Sequence, residues 1–314
     1  MKLISFDLIR NLGISAQTAN GWVAEMIAKK DESVLPPKIS MKPLGSDVFY
    51  NTMPVAIPSL DVVGVKIVNR YAGRAPSLDS TLLLYRLSDG ECLACMDGNW
   101  ITAMRTGAVA AHSAMLFAKR DFSTVGMIGL GNTAAAALDC LLAATEDRAL
   151  TVRLLAYKDQ HMRFAARYQD NPRIRFLVDE TPSALLQSSD VVLSAATYFD
   201  GDIAKDSDFR QGQLLIPIHS RGFGNCDLFF DRVYADDTAH VSDFRYFNRF
   251  RCYAEVSDVV CGRAPGRTCD TERILVYNIG IALHDVFFAQ KIYGMLKDDA
   301  PELPLCPPTE KFWF

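Results

Sequence analysis

Two patterns of hydrophobic and polar positions divide the chain near Phe122. Before it, β-branched and apolar residues alternate in "DVVGVKIVNRY" and in "STLLLYRLSDGECLACMDG", which predicts strands, the latter a hairpin turning at Asp89-Gly90. Apolar residues at helical spacing predict helices over residues 5–30 and in "NWITAMRTGAVAAHSAMLFAKR". The first third of the chain is therefore expected to be α+β.

After Phe122, short apolar runs alternate with short helical segments. The apolar runs are "FSTVGMIGLG", "LTVRLLAYKD", "RIRFLVD", "DVVLSAAT", "QLLIPIHS" and "RVYADD". Strands that alternate with helices predict an α/β fold with a Rossmann-type, doubly wound parallel sheet. The segment "ERILVYNIGIALHDVFFAQKIYGML" begins extended and continues as a long apolar helix, which we expect to return to the α+β domain.

Composition narrows the class of protein without identifying it. The 314 residues are 49% hydrophobic and 22% charged, which suits a globular chain of one large or two ordinary domains. The net charge of −4 is scattered and includes no Lys/Arg run, so neither nucleic acid nor an acidic membrane is an expected partner. The longest apolar runs are too short to cross a bilayer, and no signal peptide is recognisable. We expect a cytoplasmic protein.

Cys92 and Cys95 form a C-x-x-C pair, a spacing found in redox and zinc sites. The pair lies in a predicted strand rather than at a helix start, and no second cysteine pair completes a zinc site. We therefore expect reduced thiols in a reducing compartment and no metal site.

The stretch Gly129-Leu130-Gly131-Asn132-Thr133-Ala134 matches G-x-G-x-x-A between a predicted strand and a predicted helix. In this motif the first glycine permits a tight turn, the second leaves room for a pyrophosphate, and the small third residue allows close packing. The phosphate oxygens then face the N–H groups of the helix start. The context predicts a dinucleotide site.

The end of the following strand bears on which dinucleotide is bound. NAD-binding proteins usually carry Asp or Glu there for the ribose hydroxyls, whereas this chain has Ala156, then Tyr157 and Lys158. Lys158 is suited to a 2′-phosphate and Tyr157 to the adenine, which slightly favours NADP(H) over NAD(H). Asp159 would restore NAD binding if the strand ended late.

Three cationic residues of the first third lie on different predicted elements: Lys38, Lys66 and Arg105. Lys66 interrupts an apolar strand, and a buried lysine is costly unless it meets an anion. Arg105 lies near the start of an apolar helix, where its guanidinium suits bidentate carboxylate binding. Together they indicate a site for a small carboxylate, although each is alone more typical of a surface charge.

These residues carry a resemblance to the ornithine cyclodeaminase and mu-crystallin family. The similar stretches are "LPPKIS", "VGVKIV", "APSLDSTLLLYRLSDG", "MDGNWITAMRTGAV", "MIGLGN", "AEVSDVVCGR" and "VYNIGIALHD", in family order over nearly the whole chain. The resemblance implies a discontinuous substrate-binding and dimerisation domain over 1–118 and 279–314, a Rossmann domain over 119–278, an active site in the cleft between them, and a homodimer.

The resemblance also implies roles for individual residues. Lys38, Lys66 and Arg105 are expected to hold the substrate carboxylate. It implies cofactor contacts from Ser77, from the glycine turn and from later strand ends. Together with the glycines of the G-x-G-x-x-A motif, the expected cofactor-binding residues are Ser77, Gly129, Gly131, Asn132, Thr133, Tyr157, Lys158, Ala196, Thr197, Ile218 and Asn278.

One position departs from the cyclodeaminases of the family, which carry a catalytic Asp where "IPIHSRGFGNCDL" has Arg221. Arginine does not deprotonate at neutral pH and cannot replace that Asp as a base. Arg221 is instead a candidate for binding a second acidic group, or for an ion pair with Asp227. His219 and Lys66 are alternative proton donors to the imine nitrogen. His284 and Asp285, on the last helix, are candidates for a capping or interhelical pair.

The sequence thus favours an NAD(P)-dependent oxidoreductase of amino-acid metabolism. It would transfer a hydride between nicotinamide and the imine or amine carbon next to a carboxylate, as an imine (ketimine) reductase or an amino-acid or opine-like dehydrogenase. Ornithine cyclodeaminase activity is one alternative. The other is a non-catalytic NADPH-dependent binding protein for a small ligand. The segment "DFRYFNRFRCY" is a candidate lining for its apolar pocket, although packing under a loop or at a dimer interface is favoured for this segment.

Overall fold

A computed structural model describes residues 1–42, 48–196, 202–218, 228–305, 307–311 and 313. In chain order the strands are β1 (Lys2–Ile4), β2 (Ile39–Met41), β3 (Phe49–Ile57), β4 (Val62–Arg70), β5 (Leu78–Arg86), β6 (Cys92–Asp97), β7 (Thr124–Ile128), β8 (Leu150–Leu155), β9 (Ile174–Asp179), β10 (Val191–Ser194), β11 (Leu214–Pro217), β12 (Arg232–Ala235), β13 (Tyr253–Glu255) and β14 (Ile274–Tyr277). The α-helices are α1 (Phe6–Asn11), α2 (Ala16–Ile27), α3 (Asn99–Phe117), α4 (Asn132–Ala144), α5 (Gln160–Ala166), α6 (Pro182–Gln187), α7 (Val256–Val260) and α8 (Ala282–Leu296).

The chain divides into two compact units. One, the mixed-sheet unit, contains residues 1–13, 31–101 and 285–314; the other, the parallel-sheet unit, contains residues 14–30 and 102–284. The domain boundaries proposed from the sequence, at 118/119 and 278/279, stay a prediction.

The mixed-sheet unit is built on a six-stranded sheet in the order β1-β6-β5-β4-β3-β2. All neighbours are antiparallel except β1 and β6, which are parallel. Along β4 and β5 alternate residues are buried, as the alternating pattern predicts. Helix α8 packs closely on the buried face at Gly64, where a Cβ would stand only 2.5 Å from Val286 Cγ2.

The parallel-sheet unit contains an eight-stranded sheet in the order β13-β12-β14-β11-β10-β7-β8-β9. Every pair in it is parallel, which confirms the Rossmann-type sheet predicted from alternating strands and helices. Its central strands are almost continuously apolar because both faces are covered; β10, β11 and β14 are buried at every position.

The helical prediction over residues 5–30 did not include a break. The segment contains two helices, α1 and α2, separated at Gly13, whose φ is +60°. Ser5 and Ser15 cap the two helices, since their Oγ atoms accept hydrogen bonds from the backbone N–H groups of Leu8 and Thr18. Apolar spacing alone did not reveal the interruption, although Gly13 and the serine N-caps marked it.

Candidate active-site residues

The carboxyl ends of four neighbouring parallel strands form one continuous backbone edge. Hydrogen bonds extend the sheet past the strand ends, from Ala195 N–H to Ile128 O (2.7 Å), from Ile218 N–H to Ser194 O (2.8 Å) and from Asn278 N–H to Pro217 O (3.0 Å). This edge therefore brings together the ends of β7, β10, β11 and β14. Ligands of open parallel sheets bind at such an edge, where the strand order reverses direction.

The glycine turn after β7 has the geometry its motif requires. Gly129 has φ +77°, and a Cβ on it would lie 2.5 Å from the backbone N of Ala196, so only glycine fits. Gly131 is the N-cap of α4, and a Cβ on it would meet no atom within 4 Å. Ala134, in the first turn of α4, is buried. The open space in front of Gly131 and the helix start beside it fit a pyrophosphate. Asn132 and Thr133 form the first turn of α4.

Strand β8 ends at Leu155, ahead of the residues predicted to select the cofactor. Tyr157 is 58% exposed, and the Nζ of Lys158 lies 5.3 Å from the centroid of its ring. Asp159 lies beyond the strand and forms an exposed ion pair with Arg163 at 3.3 Å. The strand therefore does not end late enough to bring Asp159 to its tip. A lysine and an aromatic ring stand at this end of the sheet.

Asn278 follows β14, and its side-chain amide is buried. The residue is 2% exposed, and neither Oδ1 nor Nδ2 has a hydrogen-bond partner among the described residues. A buried amide without a partner costs free energy, so this group fits a site completed by a polar ligand. Ile218 and Ala196, also predicted cofactor contacts, lie on the same edge.

Arg105 lies in α3 and is only 6% exposed. Its guanidinium stands against Gly280, where a Cβ would be 2.6 Å from Nη1 and 3.0 Å from Nη2. Gly280 has φ +86°, and its N–H donates a 2.7 Å hydrogen bond to Oδ2 of Asp236. The predicted carboxylate-binding arginine is thus a buried side chain in a specific setting, unlike a surface charge.

Lys66 lies in the middle of β4 and is 1% exposed. Its Nζ is 2.7 Å from Oδ1 of Asp285 in α8, which is also fully buried. Asp285 therefore binds a lysine of the sheet, and the pairing expected between Asp285 and His284 stays a prediction. The buried Nζ of Lys66 thus faces an anion, the partner that a lysine inside an apolar strand requires.

Two further predicted residues, Lys38 and Ser77, belong to the mixed-sheet unit. Lys38 is half-buried immediately before β2, and Ser77 is half-buried in the β4–β5 loop, where its carbonyl accepts a hydrogen bond from Tyr71 N–H at 2.9 Å. Thr197, His219, Arg221 and Asp227 lie outside the described residues.

Three residues of these surroundings were not assigned to the site by sequence reasoning: Asp285, Gly280 and Asp236. For Asp285 a signal existed, because a lysine inside an apolar strand requires an anion and Asp285 is an acid inside an apolar helix. Gly280 carried a weaker signal, as a glycine shortly after a buried strand. Asp236 carried none.

The aromatic segment 243–253 packs into the parallel-sheet unit. Phe244 contacts the ring of Tyr277 with centroids 5.1 Å apart, and Phe247 contacts Phe250 and Tyr253 at 5.5 and 4.9 Å. These rings join the hydrophobic core around β11, β12 and β14. The segment thus contributes to core packing, in agreement with the favoured interpretation of its aromatic residues.

Other predicted features concern cysteines, metals and membranes. Cys92 and Cys95 lie on strand β6, as predicted, and the six cysteines in the described part of the chain are free thiols. Across the same residues, no three metal-ligating side chains gather into a metal site. None of the helices described above is both long enough and apolar enough to span a bilayer.

The parallel sheet with its glycine turn places the chain in the class of Rossmann-type dinucleotide-binding folds. Within that class, the model of the ornithine cyclodeaminase/mu-crystallin family matches residues 14–300. The chain belongs to this family.

Curated relatives are similar over most of their length. The nodulation efficiency protein NfeD of Rhizobium meliloti is 26% identical over 271 residues, 83% of each chain. The N-((2S)-2-amino-2-carboxyethyl)-L-glutamate dehydrogenase of Staphylococcus aureus is 24% identical over 253 residues, 76% of this chain and 74% of the relative.

Solved structures share the fold. A Δ(1)-pyrroline-2-carboxylate reductase of Thermococcus litoralis, in complex with NADH and L-proline, has a TM-score of 0.86 at 22% identity and covers 96% of this chain and 100% of its own. An archaeal alanine dehydrogenase dimer with bound NAD has a TM-score of 0.86 at 20% identity, covering 98% of this chain and 99% of its own. These relatives are named as reductases and dehydrogenases of imino and amino acids.

Proposed function

We propose that the protein is an NAD(P)H-dependent oxidoreductase that transfers a hydride between nicotinamide and the carbon of a C=N or CH–NH bond next to a carboxylate. The observation that carries the proposal is the edge of the parallel sheet, where the glycine turn, with open space at Gly131, follows β7 and the buried amide of Asn278 follows β14 of the same sheet. Membership of a family with imine reductases and amino-acid dehydrogenases agrees with it.

The residues of this edge suit the parts of a dinucleotide. Gly129, Gly131, Asn132 and Thr133 would hold the pyrophosphate at the start of α4. Tyr157 and Lys158 would hold the adenosine end, with NADPH slightly preferred because no acid stands at the end of β8. The nicotinamide end would be contacted by Ala196, Thr197, Ile218 and Asn278. Ser77 would contact the dinucleotide from the β4–β5 loop. The bound dinucleotide supplies the hydride.

The substrate is proposed to be a small imino or amino acid. Lys38, Lys66 and Arg105 are the cations proposed to bind its carboxylate, and Arg221 is proposed to bind a second acidic group. In the reducing direction the imine carbon gains a hydride and the nitrogen gains a proton. The candidate donors of that proton are His219 and Lys66, whose Nζ contacts Asp285.

A homodimer, with a cytoplasmic location, completes the proposal. The face of the mixed sheet opposite Lys66 carries apolar residues in cross-strand rows: Val65 lies between Pro54 and Leu83, and Val63 pairs with Tyr85. These side chains are only partly buried within one chain. An apolar sheet face of this kind is suited to a second copy of the chain. Light scattering on wild type and Val65→Glu tests it, with a monomeric variant expected.

The test of the activity is NAD(P)H oxidation, followed by absorbance, with cyclic ketimine carboxylates and with 2-oxo acids plus amines. Turnover with one class is the expected result, with a strongly raised KM in Arg105→Ala and a smaller rise in Arg105→Lys. Release of ammonia and proline from ornithine would replace the proposal with cyclodeaminase activity. Tight binding of NADPH with no turnover of any imine would refute an imine reductase.

A further inference from the structure

We propose that Gly280 is a positioning residue that determines where the guanidinium of Arg105 stands. The inference rests on the proposed function for its catalytic consequence, because Arg105 is the proposed carboxylate ligand. Both residues belong to the parallel-sheet unit, in which Gly280 follows β14 in the turn that also carries Asn278.

The first argument is the contact itself. A Cβ at position 280 would lie 2.6 Å from Nη1, 3.0 Å from Nη2 and 3.2 Å from Cζ of Arg105. All three guanidinium atoms therefore occupy the side of Gly280 from which any other residue would project its side chain. These separations are well inside a normal van der Waals contact, so any Cβ forces movement. The guanidinium can stand where it does only because residue 280 is glycine.

The second argument is that the backbone of the turn is tied in place. Gly280 N–H donates to Oδ2 of Asp236 at 2.7 Å, and Asp236 N–H donates to the carbonyl of Tyr277 at 3.1 Å. Asn278 N–H donates to the carbonyl of Pro217 at 3.0 Å, and Ile281, the residue that follows the glycine, is buried. With the turn held to β11 and to the residue after β12, the group that yields is the end of the long arginine side chain.

The consequence for chemistry follows from the geometry of carboxylate recognition. An arginine holds a carboxylate through two parallel N–H···O bonds, and these weaken steeply when the planes are offset. A methyl group at position 280 that displaces the guanidinium should therefore weaken substrate binding while leaving the glycine turn after β7 intact. We expect KM for the carboxylate substrate to rise about tenfold in Gly280→Ala, as a charged hydrogen bond is partly lost.

The experiment compares Gly280→Ala with Gly262→Ala. Gly262 has a similar φ of +72°, but a Cβ on it meets nothing within 4 Å, so this control carries the backbone strain without the collision. Each variant is measured for KM, kcat and the Kd of the dinucleotide, and the crystal structure of Gly280→Ala is determined. Gly280→Ala is also combined with Arg105→Ala.

The expected result is a displaced Arg105 guanidinium in Gly280→Ala, a raised KM, and a dinucleotide Kd that stays within about twofold of wild type. In the Arg105→Ala background the same substitution should change KM by less than about twofold, because the group it acts through is gone. Gly262→Ala should match wild type in KM and in dinucleotide Kd.

Three results would overturn the inference. The first is a crystal structure of Gly280→Ala in which the turn has shifted and the guanidinium has not moved. The second is a rise in the dinucleotide Kd of Gly280→Ala as large as the rise in its KM. The third is the same KM change from Gly280→Ala in the Arg105→Ala background as in wild type. Failure of the proposed function looks different: the wild type then turns over no imine, while the crystal structure of Gly280→Ala still decides whether Gly280 places Arg105.

Discussion

Removing one partner of the buried Lys66–Asp285 pair should destabilise the protein far more than removing both. The two charges are 2.7 Å apart and at most 1% exposed, so neither can reach water when its partner is lost. Breaking such a pair from one side costs about 3–5 kcal/mol of unfolding free energy, because it leaves an uncompensated buried charge. We expect Asp285→Asn and Lys66→Met each to fall in this range.

The double variant Lys66→Met/Asp285→Leu removes both charges and should lose only about 0–2 kcal/mol, since an apolar replacement of a buried pair is often neutral. Urea unfolding, followed by circular dichroism, gives the four stabilities and the coupling between the two sites. The matched control is Asp89→Asn, which breaks the Arg86–Asp89 pair of the same length at 39% and 53% side-chain exposure and should change little. Additive losses, or single losses as small as the control, would refute the reasoning.

Three further predictions concern pH and the dinucleotide site. Burial lowers the pKa of His112 from 6.5 to about 4, so on acidification the unfolded chain takes up the proton before the folded chain does. The stability that comes from keeping His112 neutral is therefore complete above pH 6.5 and is lost as the pH falls toward 4. His112→Leu should flatten the dependence of the urea midpoint on pH over that interval, and an unchanged slope would contradict the burial argument. Gly131→Val should raise the dinucleotide Kd about tenfold or more with an unchanged urea midpoint, because it fills the space predicted for the pyrophosphate, whereas Gly129→Ala should lower the midpoint through its collision with Ala196. Lys158→Ala should raise KM for NADPH about tenfold and leave KM for NADH nearly unchanged, since a charge-assisted contact to the 2′-phosphate is lost; equal effects on both coenzymes would argue against NADPH selection.

The sequence pattern by itself predicted most of the strands and the glycine turn of this protein. Alternating apolar residues predicted β4, β5 and β6, and alternating strands and helices predicted the parallel sheet. The glycine turn was predictable because its backbone requirement is a property of single residues: Gly129 needs a positive φ, and Gly131 needs an empty side. The break between α1 and α2 was missed because apolar periodicity was weighed above Gly13 and its neighbouring serine cap.

The surroundings of the site came only from the tertiary structure. The sequence showed that Lys66 needed an anion, but strand β4 and helix α8 are far apart along the chain, and their meeting depends on how the sheet buries one face. The contact of Gly280 with Arg105 is likewise between a turn and a helix from separate regions. Periodicity and motif spacing report which residues share an element and a face. They do not report which distant elements pack together, since that depends on the burial of the whole chain.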